Sequence, residues 1–418
     1  MATYPIRPIS AAELPAFHAV SDQAFNSTWP VDEMLALEGK IFEPERSLVA
    51  FDGAQMVGTA LAYTFGLTVP GGSVDAAGIS GVSVLPTYRR RGILSALMRR
   101  QLADISAGSE PVAALFASES AIYRRYGYGV ASEQYDFRIR AGQRRLADPA
   151  PGVQESGALT LRLASPPEAV KELERVFDVV RAGRPGMLTR TAQWWEVLVA
   201  DPTFMREGHS PLRCVIAADG AGARGYALYT AKPIWGDDSI PAHELAVREL
   251  FAVDPAARAV LWQHLLSRDL VSEVAARMRP ADDPLLHLLA DRRDARPRAS
   301  DGLWIRLIDL PAALTKRRYA CPVDVVIDVT DPLLPANSGR WRLQAGGFTG
   351  AQPPTCERTS AEADVAVGIA DISAAYLGGT RLGTLAGAGL VTERRPGTLA
   401  PLSAALSWDP LPWSPMLF

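Results

Sequence analysis

The sequence predicts an α/β (α+β) chain of three domains, the first two built alike, and three observations carry that expectation. Two stretches rich in Pro, Gly and charge, residues 141–158 (AGQRRLADPAPGVQESGA) and 292–302 (RRDARPRASDG), lack apolar periodicity and divide the 418 residues into pieces of ordinary domain size. Strands and helices alternate in mixed order in the first two pieces. Val82 to Arg89 (VSVLPTYR) aligns without a gap on Phe251 to Arg258 (FAVDPAAR), with Val84/Val253, Pro86/Pro255 and Arg89/Arg258 identical, which points to a duplicated domain. The expected domains are residues 1–145, 155–293 and 301–418.

In the first piece, Ala11 to Val20 and Val31 to Leu37 read as short helices, the second started by Pro30. Ser47 to Phe51 and Met56 to Phe65 read as strands about the Asp52-Gly53 hairpin signal. Leu67-Thr68-Val69 then passes through Pro70-Gly71-Gly72 into a strand over Ala77 to Val84. Leu94, Leu97, Met98 and Leu102 keep a helical spacing, so a helix runs from Gly92 to about Ile105. Pro111 to Ala117 is apolar enough for a buried strand, Ile122 to Arg125 starts a short helix, and Val130 to Arg140 closes the piece as one alternating strand.

The second piece repeats much of this order. Strands are expected at Leu159–Leu163, Arg213–Ala217, Gly225–Thr230 and Val247–Val253, and helices at Pro167–Ala182, Thr191–Ala200 and Ala256–Arg268. The third opens with Leu303 to Ile308 as a strand and a helix started by Pro311. Strands follow at Val325–Ile327, Trp341–Leu343 and Ala363–Ile369, and helices at Ile372–Leu377 and Leu402–Leu406. Trp408 to Phe418 contains three prolines and cannot be a helix.

A hydrophobic content of 48% with 21% charged residues belongs to a soluble globular chain, and a net charge of −3 supplies no general attraction to nucleic acid or anionic membrane. The three cysteines, Cys214, Cys321 and Cys356, are far apart, and the five histidines are scattered, so neither a disulfide framework nor a metal site is expected. No cationic segment followed by an apolar run opens the sequence and no window suits a membrane span, so the expected compartment is the cytoplasm.

Chemistry concentrates at Val82-Ser83-Val84-Leu85-Pro86-Thr87-Tyr88-Arg89-Arg90-Arg91-Gly92-Ile93-Leu94-Ser95. A CoA pyrophosphate needs backbone N–H groups aimed at it, a positive helix end and no obstructing side chain. Gly92 permits close approach, the first helical turn supplies the donors, and Arg89 to Arg91 add charge. The strand ending at Val84 offers its backbone to the peptide-like pantetheine arm. The aligned positions of the second piece hold Ala259-Val260-Leu261, an apolar triplet with no phosphate contact to offer.

The segment VSVLPTYRRRGILSAL resembles motif A (R/Q-x-x-G-x-G/A) of the GNAT acetyltransferases, with Leu94 in place of the last Gly or Ala. Ile122-Tyr123-Arg124-Arg125-Tyr126-Gly127-Tyr128 resembles their motif B. The whole-chain layout is similar to Eis-type acetyltransferases (enhanced intracellular survival family). That resemblance implies tandem GNAT domains, the second degenerate, followed by a sterol-carrier-protein-like domain ending in the active site. It implies acetyl-CoA as cosubstrate without a metal, contacted by Val82, Ser83, Val84, Arg90, Arg91, Gly92, Ile93, Leu94, Ser95, Ser118 and Glu119. It further implies Tyr123 as proton donor, the terminal carboxylate of Phe418 as proton acceptor, and a homohexamer of two stacked trimers, that is, a trimer of dimers.

The chemistry fits those residue types. A tyrosine of pKa ~10 can reprotonate a thiolate whose acid has pKa ~8.5, whereas a carboxylate of pKa ~3.5 is a poor base unless buried or bridged by water. The acceptor expected is a primary amine of aminoglycoside, polyamine or lysine type. Polycations need acids in the pocket, yet Leu417 is apolar where the best-known family member is acidic, and Phe25-Asn26-Ser27-Thr28-Trp29 has no acid until Asp32 and Glu33. That weakens the aminoglycoside reading. Two other readings are a lipid- or sterol-binding protein with relic GNAT domains, and a structural hexamer component. The intact loop and Tyr123 speak against both.

Overall fold

The computed structural model of the chain describes residues 4–147, 159–236, 239–348, 350 and 352–418; of the first expected boundary stretch, 148–158 lie outside them. The N-terminal elements are β1 (Ile6–Arg7), α1 (Leu14–Phe25), α2 (Val31–Glu38), β2 (Ser47–Asp52), β3 (Gln55–Val69), β4 (Gly72–Val84), α3 (Ile93–Ser106), β5 (Val112–Phe116), α4 (Ser120–Tyr123) and β6 (Gly129–Val130). Next come β7 (Glu133–Arg140), β8 (Thr160–Ala164), α5 (Pro166–Gly183), α6 (Ala192–Val199), β9 (Arg213–Asp219), β10 (Gly222–Lys232), β11 (His243–Ala252), α7 (Pro255–Leu266), β12 (Val271–Pro280), α8 (Leu285–Leu288) and β13 (Arg298–Asp301). The rest are β14 (Leu303–Leu307), α9 (Leu310–Thr315), β15 (Pro322–Thr330), β16 (Gly339–Gly346), β17 (Thr355–Arg358), β18 (Val365–Gly368), α10 (Ile369–Ala375), α11 (Leu382–Gly387), β19 (Val391–Glu393) and α12 (Leu399–Leu406).

Two compact units result. One comprises residues up to Ser132 with Arg184–Thr189 and Asp301–Phe418; the other comprises Glu133–Gly183 and Arg190–Ser300. The first unit holds a seven-stranded sheet of order β1-β2-β3-β4-β5-β14-β6 and a five-stranded sheet of order β17-β16-β15-β18-β19. The second unit holds a seven-stranded sheet that reads β8-β9-β10-β11-β12-β7-β13 from the matching edge. In each seven-stranded sheet the fourth and fifth strands run parallel, β4 with β5 and β11 with β12.

The expected single strand over Val130–Arg140 is two strands in different sheets. The chain bends at Ala131 and Ser132, whose N–H groups both donate to Leu303 O, at 3.0 and 3.2 Å. Beyond the bend, β7 buries Phe137 and Ile139 in the core of the second unit. The strand expected to open the third piece, β14, is buried along its whole length and lies between β5 and β6. A strand buried on both faces needs a neighbour on each edge, and that position supplies both. Thr68 and its neighbours also join one continuous strand, β3, rather than a separate piece after Phe65. The strand β12 (VSEVAARMRP) was not expected; Val274 and Ala276 bury it in the same core as Phe137.

Arg306 on β14 ties the sheets of the first unit together. Its fully buried guanidinium donates from Nε to Tyr126 O (3.0 Å), from Nη1 to Leu307 O (2.8 Å) and from Nη2 to both oxygens of Asp331 (2.8 and 2.7 Å). Asp331 also accepts from Asn337 Nδ2 at 2.9 Å and from the N–H groups of Leu333 and Leu334. Removing one member of such a pair strands the other charge in the interior. Asp331→Ala is therefore expected to cost about 3–5 kcal/mol, and the double replacement Arg306→Met with Asp331→Leu less, as read from urea denaturation curves.

Candidate active site

The site begins with a break in strand pairing. β3 and β4 pair at Thr59↔Ser83 and Leu61↔Ser80, so β4 carries one extra residue between those pairs. Gly81 sits there at φ +57°, and a Cβ on it would lie 3.2 Å from Leu61 and 3.3 Å from Phe17. On its other edge β4 pairs with β5 only as far as Ile79↔Leu115. Past that point Ser80 to Val84 keep a strand backbone without a strand on the β5 side, which suits an extended amide-bearing arm. Ser83 itself is buried, its Oγ 2.6 Å from Thr59 Oγ1, so only its backbone faces this edge; Val84 pairs with Gly58.

The loop after β4 turns into α3 through two left-handed residues, Arg90 (φ 62°) and Gly92 (φ 87°). Gly92 is the N-cap, with open space where its Cβ would stand. The helix's first bond runs from Ala96 N to Gly92 O, so Ile93, Leu94 and Ser95 direct N–H groups out of the helix end, and no described side chain caps them. An anion fits that end. Arg91 stacks 4.6 Å over the Tyr88 ring and donates to Thr87 O at 3.0 Å. Ile93 is in the core, 2% exposed, so its side chain anchors the turn rather than meeting a ligand. Half-buried Leu94 packs beside Met98, and Ser95 Oγ lies 3.0 Å from Tyr126 Oη.

Beside the parted strands lies a cavity of about 520 Å³. It brings together Val82, Ser118, Tyr123 and Phe418 from the residues singled out in the sequence. Glu119 is not on its wall; it precedes α4 as an exposed N-cap. Tyr123 is buried, edge-on to Tyr128 with ring centroids 6.1 Å apart. Burial first, and then the charge of Glu119, pushes its phenol up to about 12. The ring of Phe418 stands 5.1 Å from that of Phe65 and 5.6 Å from that of Phe116. The tail reaches this place without helix, as expected, held by Trp413 N donating to Pro185 O (2.9 Å) and Arg184 Nη1 donating to Leu411 O (2.7 Å).

Sequence reasoning missed the acids of the cavity. His18, Asp22 and Glu38 line it, whereas Leu417 is 60% exposed and neither Asp32 nor Glu33 faces it. His18 Nδ1 is 3.0 Å from Glu38 Oε2, and its Nε2 is 3.4 Å from Asp22 Oδ2. Burial raises the Glu38 carboxyl above the usual carboxylate range, against the opposing pull of His18. The i,i+4 spacing of His18 and Asp22 was the available signal.

The second unit lacks the bare helix end. Pro255 begins α7 directly after β11, and the Asp254 carboxylate accepts from Ala257 N at 2.8 Å, occupying the helix end that an anion would need. Ala259 and Leu261 are buried inside that helix.

The parted parallel strands, the left-handed glycine at a bare helix end and the duplicated sheet define a GNAT-fold acetyltransferase. Comparison with known proteins agrees: acetyltransferase (GNAT) domain models match residues 5–131 and 186–307, and a sterol carrier protein domain model matches 310–415. N-acetyltransferase Eis of Mycobacterium tuberculosis is 35% identical over 365 residues, 85% of this chain and 84% of that one. An uncharacterized N-acetyltransferase of Streptomyces avermitilis is 44% identical over 94% of both chains. The crystal structure of Eis1 from Mycobacterium abscessus superposes with a TM-score of 0.82 at 33% identity, covering 99% of this chain and 100% of that one. The chain belongs to the Eis family of GNAT N-acetyltransferases. It is an acyltransferase of a family that uses acetyl-CoA, which disfavours the lipid-carrier and purely structural readings. No helix among the described residues is long and apolar enough to cross a membrane.

The buried phenol gives a direct check. The tyrosinate absorbance lost in Tyr123→Phe is expected to develop near pH 12 in the intact protein, so Tyr123 keeps its proton throughout neutral and mildly alkaline assays.

Proposed function

We propose that this chain transfers the acetyl group of acetyl-CoA to a primary amine by direct attack of the amine on the thioester. The parting of β4 from β5 beside a cavity walled by Tyr123 and Phe418 carries this reading. In it, the N–H groups of Gly92 to Ser95 and the charges of Arg90 and Arg91 hold the pyrophosphate. The backbone of Val82 to Val84 aligns the pantetheine arm, and Ser118 and Glu119 border it. Tyr123, kept protonated by burial, returns a proton to the departing thiolate. The terminal carboxylate of Phe418 takes a proton from the attacking nitrogen.

The acceptor we propose is cationic before it reacts. Asp22 and Glu38 favour an ammonium group of polyamine, lysine or aminoglycoside type, which offsets the loss of acidity at Leu417. Phe25 and Trp29, 51% and 45% exposed, add an aromatic mouth suited to an apolar arm. From the family resemblance we also propose a cytoplasmic homohexamer, for which light scattering at micromolar concentration should give six times the 44.9 kDa chain mass. A monomer only would contradict it.

Calorimetry is expected to find one acetyl-CoA site per chain, weakened by Arg91→Glu through repulsion of the phosphates. Two equivalent sites, or none, would end the single-site reading. Tyr123→Phe should lower kcat about 10²–10⁴-fold with binding retained. A C-terminal extension, which turns the Phe418 carboxylate into an amide, should also cut turnover sharply. An extended enzyme as fast as the original excludes the terminal base.

A further inference from the structure

Two protons must leave the nitrogen of a protonated amine before it becomes an acetamide, and a single weakly basic carboxylate is a poor sink for both. The cavity contains a second candidate. His18 lies on α1 and lines the cavity at 5% exposure, the one imidazole among the lining side chains. Its Nδ1 meets Glu38 of α2 at 3.0 Å, which orients the ring and balances a charge on it. Its Nε2 has no hydrogen-bond partner among the described residues, because Asp22, at 3.4 Å, is poorly aligned. A sealed, unpartnered imidazole nitrogen behind a partly exposed carboxylate can receive a proton given up by an ammonium docked on that carboxylate.

We propose that Asp22, His18 and Glu38 form the ammonium subsite of the cavity, with His18 Nε2 taking the first proton of the acceptor. The proposal rests on the acetyltransferase reading above. Asp22 receives the R–NH3+ group, its carboxylate relays one N–H proton to Nε2 behind it, and Glu38 neutralises the imidazolium. The freed lone pair forms the C–N bond at the thioester carbon. The second N–H proton goes to the Phe418 carboxylate as the C–S bond breaks, and Tyr123 protonates the sulfur. The two protons lost by nitrogen are matched by one on CoA-SH and one released to solvent after the side chains return to their starting states. The other titratable groups facing the cavity, Tyr63 of β3 and Tyr123 of α4, are buried phenols whose titration lies above neutrality, so neither competes for this proton.

The test compares two acceptors of similar shape and very different basicity, phenethylamine and O-benzylhydroxylamine, the latter already neutral at pH 7. In His18→Asn an amide nitrogen can still donate to Glu38 but takes no proton. With phenethylamine, kcat/KM at neutral pH should fall by about 10²-fold or more, and the acid limb of its pH profile should move up toward the ionisation of the free amine. With O-benzylhydroxylamine the loss should be slight, and acetyl-CoA affinity by calorimetry should be unchanged. Glu38→Gln, which leaves His18 in place, should show the same acceptor dependence if His18→Asn does not fold. Equal losses for both amines, or an unchanged acid limb, would overturn the subsite, as would an enzyme that binds acetyl-CoA yet acetylates neither amine. Failure to bind acetyl-CoA at all would instead overturn the acetyltransferase reading.

Discussion

The buried fork of Arg306 is the interaction on which the shape of the first unit's cavity wall at Tyr123 depends. One planar, permanently charged group reaches the carbonyl of Tyr126, three residues past Tyr123, and the carboxylate of Asp331, at the exit of β15. Gly127 packs against it at φ 85°, and a Cβ there would come within 2.6 Å of Arg306 Nε. The turn that carries Tyr123 is thus shaped around a side chain donated by a strand roughly 180 residues later in sequence. Two further ties act on the same turn: Arg124 pairs with Asp371 of α10 at 2.8 Å, and Gly129 approaches the α10 backbone so closely that no Cβ would fit. Residues after Asp301 therefore shape the turn that carries Tyr123.

The two seven-stranded sheets show how a duplicated frame diverges. Both part their central parallel pair, β11 pairing with β12 only as far as Val247↔Ala276. In the second unit the residues past that point include Glu249, which pairs with buried Arg190 and accepts from Tyr226 Oη at 3.0 Å. Phe177 and Trp195 stack on that arginine at 4.0 and 4.9 Å. A buried ion pair between aromatic rings fills its own interior, and Asp254 caps the helix end that stands bare in the first unit.

Local chemistry made the loop legible. Gly92, the preceding arginines and the helical spacing after it specify a bare helix end without tertiary information. The proline-braced tail was legible for the same reason, because Pro410, Pro412 and Pro415 forbid a helix. What failed was long-range. β7 and β14 carry alternation or apolarity that suits any sheet, so neither pattern says which sheet receives the strand. The acids of the cavity were sought in the segment after Phe25, whereas the facing of α1 and α2 decides which carboxylates matter. No local pattern states that facing, although the His18–Asp22 spacing hinted at it.

The position of the tail explains why its penultimate residue can be apolar. Trp413 is buried against Gly186, whose φ of 92° and missing Cβ leave room for the Trp413 backbone. That anchor, five residues before the end, sets the path, and Gly78 leaves space for the Phe418 ring beside Phe65. Leu417 between these anchors points to solvent, so its side chain is free to be apolar without touching the cavity wall. The acidic part of the cavity wall then comes from α1 and α2, where Asp22 and Glu38 flank His18, and the tail supplies an aromatic wall through Phe418. Because the two functions occupy opposite ends of the first unit's sequence, either can change without displacing the other. The carboxylates that line the cavity thus come from the helices that enter it rather than from the residue before the chain's end.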